Sequence, residues 1–170
     1  MSKNTQHISR FFEDFEGDMR QVPTIIAETA REYYLDRFKY KNWDGKPWPK
    51  YNPNDNPNRK EPTRGSLMMR SNMLMQSVRP EIVRSDLVRM SAGSSKVPYA
   101  RIHNEGGRVR SVQYVRPFHN KNFMGRGKRQ QIRPHTRKQD FFMPKRQFMG
   151  HSTALNNRIT TRLANQFKKP

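Results

Sequence analysis

Tyr99-Ala100-Arg101-Ile102-His103-Asn104-Glu105-Gly106-Gly107 is the stretch on which the reading of this chain turns. Tyr99, Ala100 and Ile102 can anchor it to a core. His103, Asn104 and Glu105 then place three polar groups in a row, and each must find water or a partner. Gly106-Gly107 allows positive φ, which other residues resist. The stretch reads as a buried or interface-facing turn that reverses the chain. A hairpin-like segment precedes it and an intensely basic segment follows.

That basic segment dominates the charge balance. Between Arg108 and Arg146 lie twelve Lys or Arg and a single acid, Asp140. Arg108 to Tyr114 has the alternation of a strand, with Val109, Ser111 and Gln113 on one face and Arg108, Arg110, Val112 and Tyr114 on the other. Asp140-Phe141-Phe142-Met143 can pair back onto it. Residues 108–146 are therefore expected to form a long basic hairpin or flap, with Gly125-Arg126-Gly127-Lys128-Arg129 as a flexible tip. Arg108, Arg110, Arg116, Lys121, Arg126, Lys128, Arg129, Arg133, Arg137 and Lys138 are its candidate contacts to nucleic acid or to an acidic protein partner. Phe118, Phe123, Phe141 and Phe142 are interleaved with these cations. They suit base stacking or, as the favoured reading, anchoring of the hairpin.

The whole chain agrees with that bias. Its 170 residues suggest one domain over 1–170, and 34 Lys or Arg against 14 Asp or Glu give a net charge of +20. Hydrophobic residues make up 32%, below the roughly 45–50% of ordinary globular proteins. The core is expected to be small, with some segments ordered only by neighbours. The absence of cysteine excludes disulfides and thiolate zinc sites. No apolar run is long enough to cross a membrane, and the polar stretch Met1–Arg10 has no signal-peptide core.

Upstream of the central stretch, Ile8 to Arg20 reads as a short helix within an N-terminal arm, residues 1–22. Pro23 suits the first turn of a second helix running to about residue 40, along Ile25, Ile26, Ala30, Tyr33, Tyr34 and Phe38. Trp43-Asp44-Gly45-Lys46-Pro47-Trp48 is a turn whose two indoles can anchor it to the core or dock on another chain, with anchoring favoured over stacking on a sugar or base. From there to Gly65 no regular structure is expected. Leu67 to Val78 has the spacing of a short helix. Val78–Val83 and Leu87–Ala92 read as a strand pair joined by Arg84-Ser85-Asp86. Downstream, Pro144-Lys145-Arg146-Gln147-Phe148-Met149-Gly150 leads to a final helix over 151–167. Ser152 or Thr153 is its N-cap, and Leu155, Ile159, Leu163 and Phe167 form its docking stripe.

An enzymatic reading rests on the histidines. His103-Asn104 and His119-Asn120 repeat a dipeptide and His135 follows, but a metallonuclease also needs a clustered ligand set on a rigid frame. Only Glu105 and Asp140 are near in sequence, and two of the histidines lie in the basic segment. His103 reads instead as a hydrogen-bonded turn residue. No phosphate-binding glycine loop is present, and no catalytic residue, metal ligand, cofactor or small-molecule substrate is assigned.

Taken in order, the Trp43–Trp48 loop, the apolar segment Leu67–Val78, Tyr99–Gly107 and Met143–Gly150 with its following helix resemble the phage virion morphogenesis family. The likeness spans roughly residues 24 to 167. Asn72 stands where relatives tend to have glycine, Gln147 replaces a second proline, and the basic insertion is long. The resemblance implies a non-enzymatic virion protein, assembled in the bacterial host cytoplasm, that joins head and tail at the neck or completes the tail. It implies an α+β fold, a small twisted antiparallel sheet flanked by N- and C-terminal helices, and assembly as a homo-oligomeric ring. Portal or adaptor subunits, tail-tube proteins and DNA in the channel are the implied partners. Trp43, Trp48, Tyr99, His103, Asn104, Gly106, Gly107, Pro144, Arg146 and Phe148 would then be structural or interface residues. The charge alone leaves a second reading open, a free nucleic-acid-binding protein for packaging or compaction.

Overall fold

In a computed structural model, the described residues are 3–50, 65–123 and 128–168, with the side chains of 3–9, 11, 120–123 and 128–130 outside the description. The first element, α1, is a single helix, Lys3–Tyr40. The two helices expected from the sequence are thus one, and Pro23 lies inside it. A proline removes one helical hydrogen bond and crowds the preceding turn. Here it sits where α1 changes character. Residues 12–16 are exposed, whereas Pro23 and then Ala27, Thr29, Ala30, Tyr33, Tyr34 and Phe38 are buried. Burial of that second half offsets the cost of the proline, a term that reading the proline as a helix start did not contain.

A two-stranded ribbon follows, β1 (Asn42–Trp43) and β2 (Lys46–Pro47), paired antiparallel. Asp44 and Gly45 both have positive φ, 46° and 78°, as a tight hairpin turn of this hand requires. The apolar segment 67–78 yields only a short helix, α2, Met73–Gln76. Met68 and Asn72 adopt left-handed φ of 63° and 56°, which interrupts the longer helix that the spacing predicted. Asparagine tolerates this conformation better than most residues. That accounts for Asn72 at a position where the resemblance leads one to expect glycine.

The strand pair forms as read, β3 (Arg79–Val83) against β4 (Val88–Ser91), with a register shift between Pro80 and Ile82. A bulge is a position where a strand accommodates proline. The central stretch is a short helix, α3, Ala100–Glu105, rather than a plain turn. Gly107–Val115 is β5, Phe118–Phe123 is β6, Lys128–Ile132 is β7 and His135–Met143 is β8. β5 pairs with β8 from Gly107↔Met143 to Val115↔His135, and β6 pairs with β7. The flap is therefore two antiparallel ribbons, β5–β8 and, nested within it in sequence, β6–β7. Its returning strand is longer than the four residues expected. Helix α4, Thr153–Phe167, closes the described chain, and Ser152 is its N-cap, accepting from the Leu155 amide.

The α+β class holds, but the described strands form four two-stranded ribbons instead of one sheet. One apolar core joins α1 (Ala30, Tyr33, Tyr34, Phe38), the Trp loop (Trp48), Leu74, Val78, Val97, Ala100, Phe148 and Leu155. α4 docks on α1 through its apolar stripe, with Leu155 buried and Ile159 packed beside it. Arg158 and Arg162 add ion pairs to Glu32 and Asp36 along the rim. Among the described residues no helix is long and apolar enough to cross a membrane.

Candidate functional site

Three segments far apart in sequence meet at α3. Asn104 follows the anchored residues Ala100 and Ile102 and turns its side chain toward the strand-to-helix connection at 144–150. Its Oδ1 accepts from two successive amides, Phe148 at 2.9 Å and Met149 at 3.0 Å. The His103 carbonyl accepts from the Arg146 amide at 2.8 Å. Arg146 is itself buried. Its guanidinium donates to the carbonyls of Pro49 and Lys50, at 2.9 and 3.3 Å, and thereby ties the end of the Trp loop to the same connection. The Trp48 indole completes the lock by donating to the Gln147 carbonyl at 2.7 Å. Phe148, 1% exposed, then fills the space between Phe38 and the loop, its ring centroid 5.0 Å from that of Phe38.

This pivot brings together several of the residues named above as structural or interface positions. Trp48, Asn104, Arg146 and Phe148 are in mutual register, and Pro144 is half-buried just ahead of them. Trp43 stacks on Tyr34 and meets Tyr33 edge-on. Tyr99 lies on the rim, edge-on to His103. His103 departs from expectation. Its Nδ1 is buried with no hydrogen-bond partner among the described residues, so its side chain is not the hydrogen-bonded turn group that was read. Burial, and then the Arg146 charge, hold its pKa below the ordinary histidine value. A neutral ring fits this place beside a cation.

The glycine pair behaves as its chemistry requires. Gly106 caps α3 at φ 73°, and a Cβ there would lie 2.9 Å from the Lys145 backbone nitrogen. Gly107 has φ 131° and opens β5. The flap thus leaves the core from a corner where α3 and the 144–150 connection press together too closely for any side chain.

Beyond that corner the described side chains of β5 and β8 are largely exposed. Val112, Tyr114 and Phe142 lie on one face and are 68%, 62% and 65% exposed. Arg108 and Lys138 share this face. Asp140 is clamped by Arg108 through two bonds of 2.6 and 2.8 Å, with Arg110 at 3.5 Å. Those contacts, the Arg108 hydrogen bond foremost, lower the Asp140 pKa, and the arginine is raised in turn. The flap's one acid is thereby neutralised from within. Arg116, Arg133, Arg137 and Lys138 are exposed along it, whereas Arg126 and the side chains of Lys121, Lys128 and Arg129 lie outside the described residues. His119 and His135 are exposed on the flap and far from the pivot in the fold, and among the described residues no group of His, Asp and Glu could hold a metal ion.

Several contacts escaped the sequence. Ser152 donates to Asp44, and the Tyr33 hydroxyl, with one proton to give, lies 2.8 Å from the Ser152 oxygen and 3.1 Å from Asp44 Oδ1, so the Trp-loop turn is tied to the cap of α4. Tyr34 donates to the Gly150 carbonyl at 3.1 Å. Burial raises the Tyr34 pKa, which keeps its proton on the donor. Both tyrosines were assigned to an apolar stripe, and nothing in that periodicity marks a hydroxyl partner more than a hundred residues away.

Fold and pivot together define a small α+β structural domain that carries a basic ribbon away from its core. Residues 3–168 match the model of the phage virion morphogenesis family, and the chain belongs to that family. It is accordingly a structural component of a bacteriophage virion. No curated protein and no solved structure matches the chain.

Proposed function

We propose that the protein forms a ring at the head–tail junction, or at the tail terminus, which joins head and tail and surrounds the DNA channel. It works without catalysis. The observation that carries this reading is the flap. An isolated two-stranded ribbon is marginal in water, and this one exposes Val112, Tyr114 and Phe142 on a single face. A surface of that kind fits contact with another chain. A head-to-tail contact that closes on itself generates a ring. Portal or adaptor subunits on one side and tail-tube subunits on the other are the partners such a joint requires.

A second reading, a free nucleic-acid-binding protein, is favoured by the net charge of +20 and the exposed cations Arg116, Arg133, Arg137 and Lys138. Such binding weakens steeply with added salt. Electron cryomicroscopy of virions separates the two. The ring reading predicts a closed ring of this chain at the neck or tail terminus, and headless or tailless particles when the gene is deleted. Absence of the chain from finished virions, together with salt-sensitive DNA binding by the purified protein, would leave the second reading.

A further inference from the structure

The flap divides into its two ribbons at a single level. β5 and β8 end their pairing at Val115↔His135, and β6 and β7 begin theirs at Phe118↔Ile132. The register is the same on both sides of the gap. Two residues are therefore left out on each strand, Arg116-Pro117 on one and Arg133-Pro134 on the other. A proline has no amide to give to a ladder, and the same Arg-Pro step stands on both strands where the ladder stops. β5 is nine residues long, which at about 3.4 Å per residue puts this joint about 30 Å from the glycine corner.

Charge changes along the flap as well. At its base Asp140 pairs with Arg108 and Arg110. Between Glu105 and Asp140 the sequence contains no other acid. Arg116 and Arg133 at the joint, and Arg137 and Lys138 beside it on β8, are all exposed. Among the described residues none of these four is in an ion pair. Successive residues of a strand point to opposite faces, so Arg137 and Lys138 put cations on both sides of the ribbon. Arg116 and Arg133 put them on both sides of the gap.

Resting on the ring reading above, we infer that this joint is a DNA-backbone site, the part of the flap by which the ring touches the duplex in its channel. A protein surface carries both signs of charge and is met by a patterned complement. Cations of one sign, facing both ways around a ribbon, suit a partner of uniform charge, and duplex DNA presents one negative charge about every 1.7 Å. Three of the four are arginines, whose planar fork fits a phosphate. Gln113, Tyr114 and Thr136 are exposed beside them and offer neutral donors that phosphate oxygens also accept. Contacts of this kind carry no sequence information, as a channel that passes every part of the phage DNA requires. The exposed apolar groups Val112 and Phe142 are left for the neighbouring chain.

Two measurements on the full chain test the site. In the first, the purified protein is titrated onto a DNA duplex by fluorescence anisotropy over a range of salt. Arg116→Gln with Arg133→Gln should lower the slope of log affinity against log salt by about 1.8, at about 0.9 for each lost phosphate contact. Arg79→Gln with Arg89→Gln removes the same charge from exposed positions on the β3–β4 ribbon and should leave the slope unchanged. Equal losses from the two pairs, or no binding by the wild-type chain, overturn the site. In the second, virions carrying 5-bromouracil-substituted DNA are irradiated, and nucleotide-bearing peptides of this chain are identified by mass spectrometry. The expected adducts fall within residues 111–119 and 131–138. A ring present in virions without those adducts, or with adducts only elsewhere on the chain, overturns the DNA contact and leaves the ring reading standing. Absence of the chain from virions overturns the ring reading, and the salt slopes then decide the site by themselves.

Discussion

The pivot and the flap leave the same corner of the molecule and are specified in opposite ways. At the pivot, α3, the Trp loop and the 144–150 connection satisfy one another. Asn104 holds two amides, Arg146 holds two carbonyls, Trp48 holds a third, and Phe148 fills the space between. On the flap, described side chains meet mainly the opposite strand and solvent, and the single acid is used up inside the ribbon. A segment folded by its own chain hides its apolar groups and pairs its polar ones. A segment completed by another chain need not. Under the proposed function, the contrast separates the residues that make the domain from those offered to the assembly.

Truncating the centre of the pivot should have the largest effect. Phe148→Ala should cost about 3–5 kcal/mol in urea unfolding, the range for emptying a buried aromatic site. A cost below about 1 kcal/mol, within the range of a surface substitution, would mean that the three segments are not locked there. Asn104→Ala comes next. It leaves the amides of Phe148 and Met149 without their acceptor, at about 2 kcal/mol or more, and Asn104→Asp, which keeps the acceptor, should lose much less.

His103 supplies a smaller, pH-dependent term. Its folded pKa lies below the ordinary value of 6.5, so the unfolded chain takes up the proton first. Stability is complete above that ordinary value and falls as pH drops toward the folded value. The urea midpoint should therefore be lower at about pH 5.5 than at about pH 7.5, and His103→Gln should flatten this component. An unchanged slope in the variant would assign the acid sensitivity to other groups. The smallest effect is expected on the flap. Val112→Ser with Tyr114→Ser should shift monomer stability by no more than about 0.5 kcal/mol while reducing incorporation into particles. Equal losses of stability from flap and pivot variants would erase the distinction.

How much of this could be read in the sequence follows the same divide. The flap was legible because alternation in Arg108–Tyr114 and the return of Phe141-Phe142-Met143 are local patterns. So were the Asp44-Gly45 turn, the Ser152 cap and the glycine corner, where one residue's conformational preference decides. Merging two helices across Pro23 was not legible, since the deciding term is burial of Ala27 to Phe38 against partners distant in sequence. The broken helix at 67–78 was hidden because left-handed φ at Met68 has no residue-level signal. The Asn104 clamp was half-visible. Its stretch stood out and the connection it grips stood out, but nothing in one sequence says that the first holds the second.

Amide hydrogen exchange, measured on the purified protein and again on intact virions, tests most directly whether the pivot is self-contained and the flap completed from outside. The account predicts slow exchange at the Arg146, Phe148 and Met149 amides in both samples. Amides of β5 and β8 should exchange fast in the isolated chain and become protected only in the virion. Flap amides already as protected as the pivot in the isolated monomer, or unprotected in both samples, would contradict it.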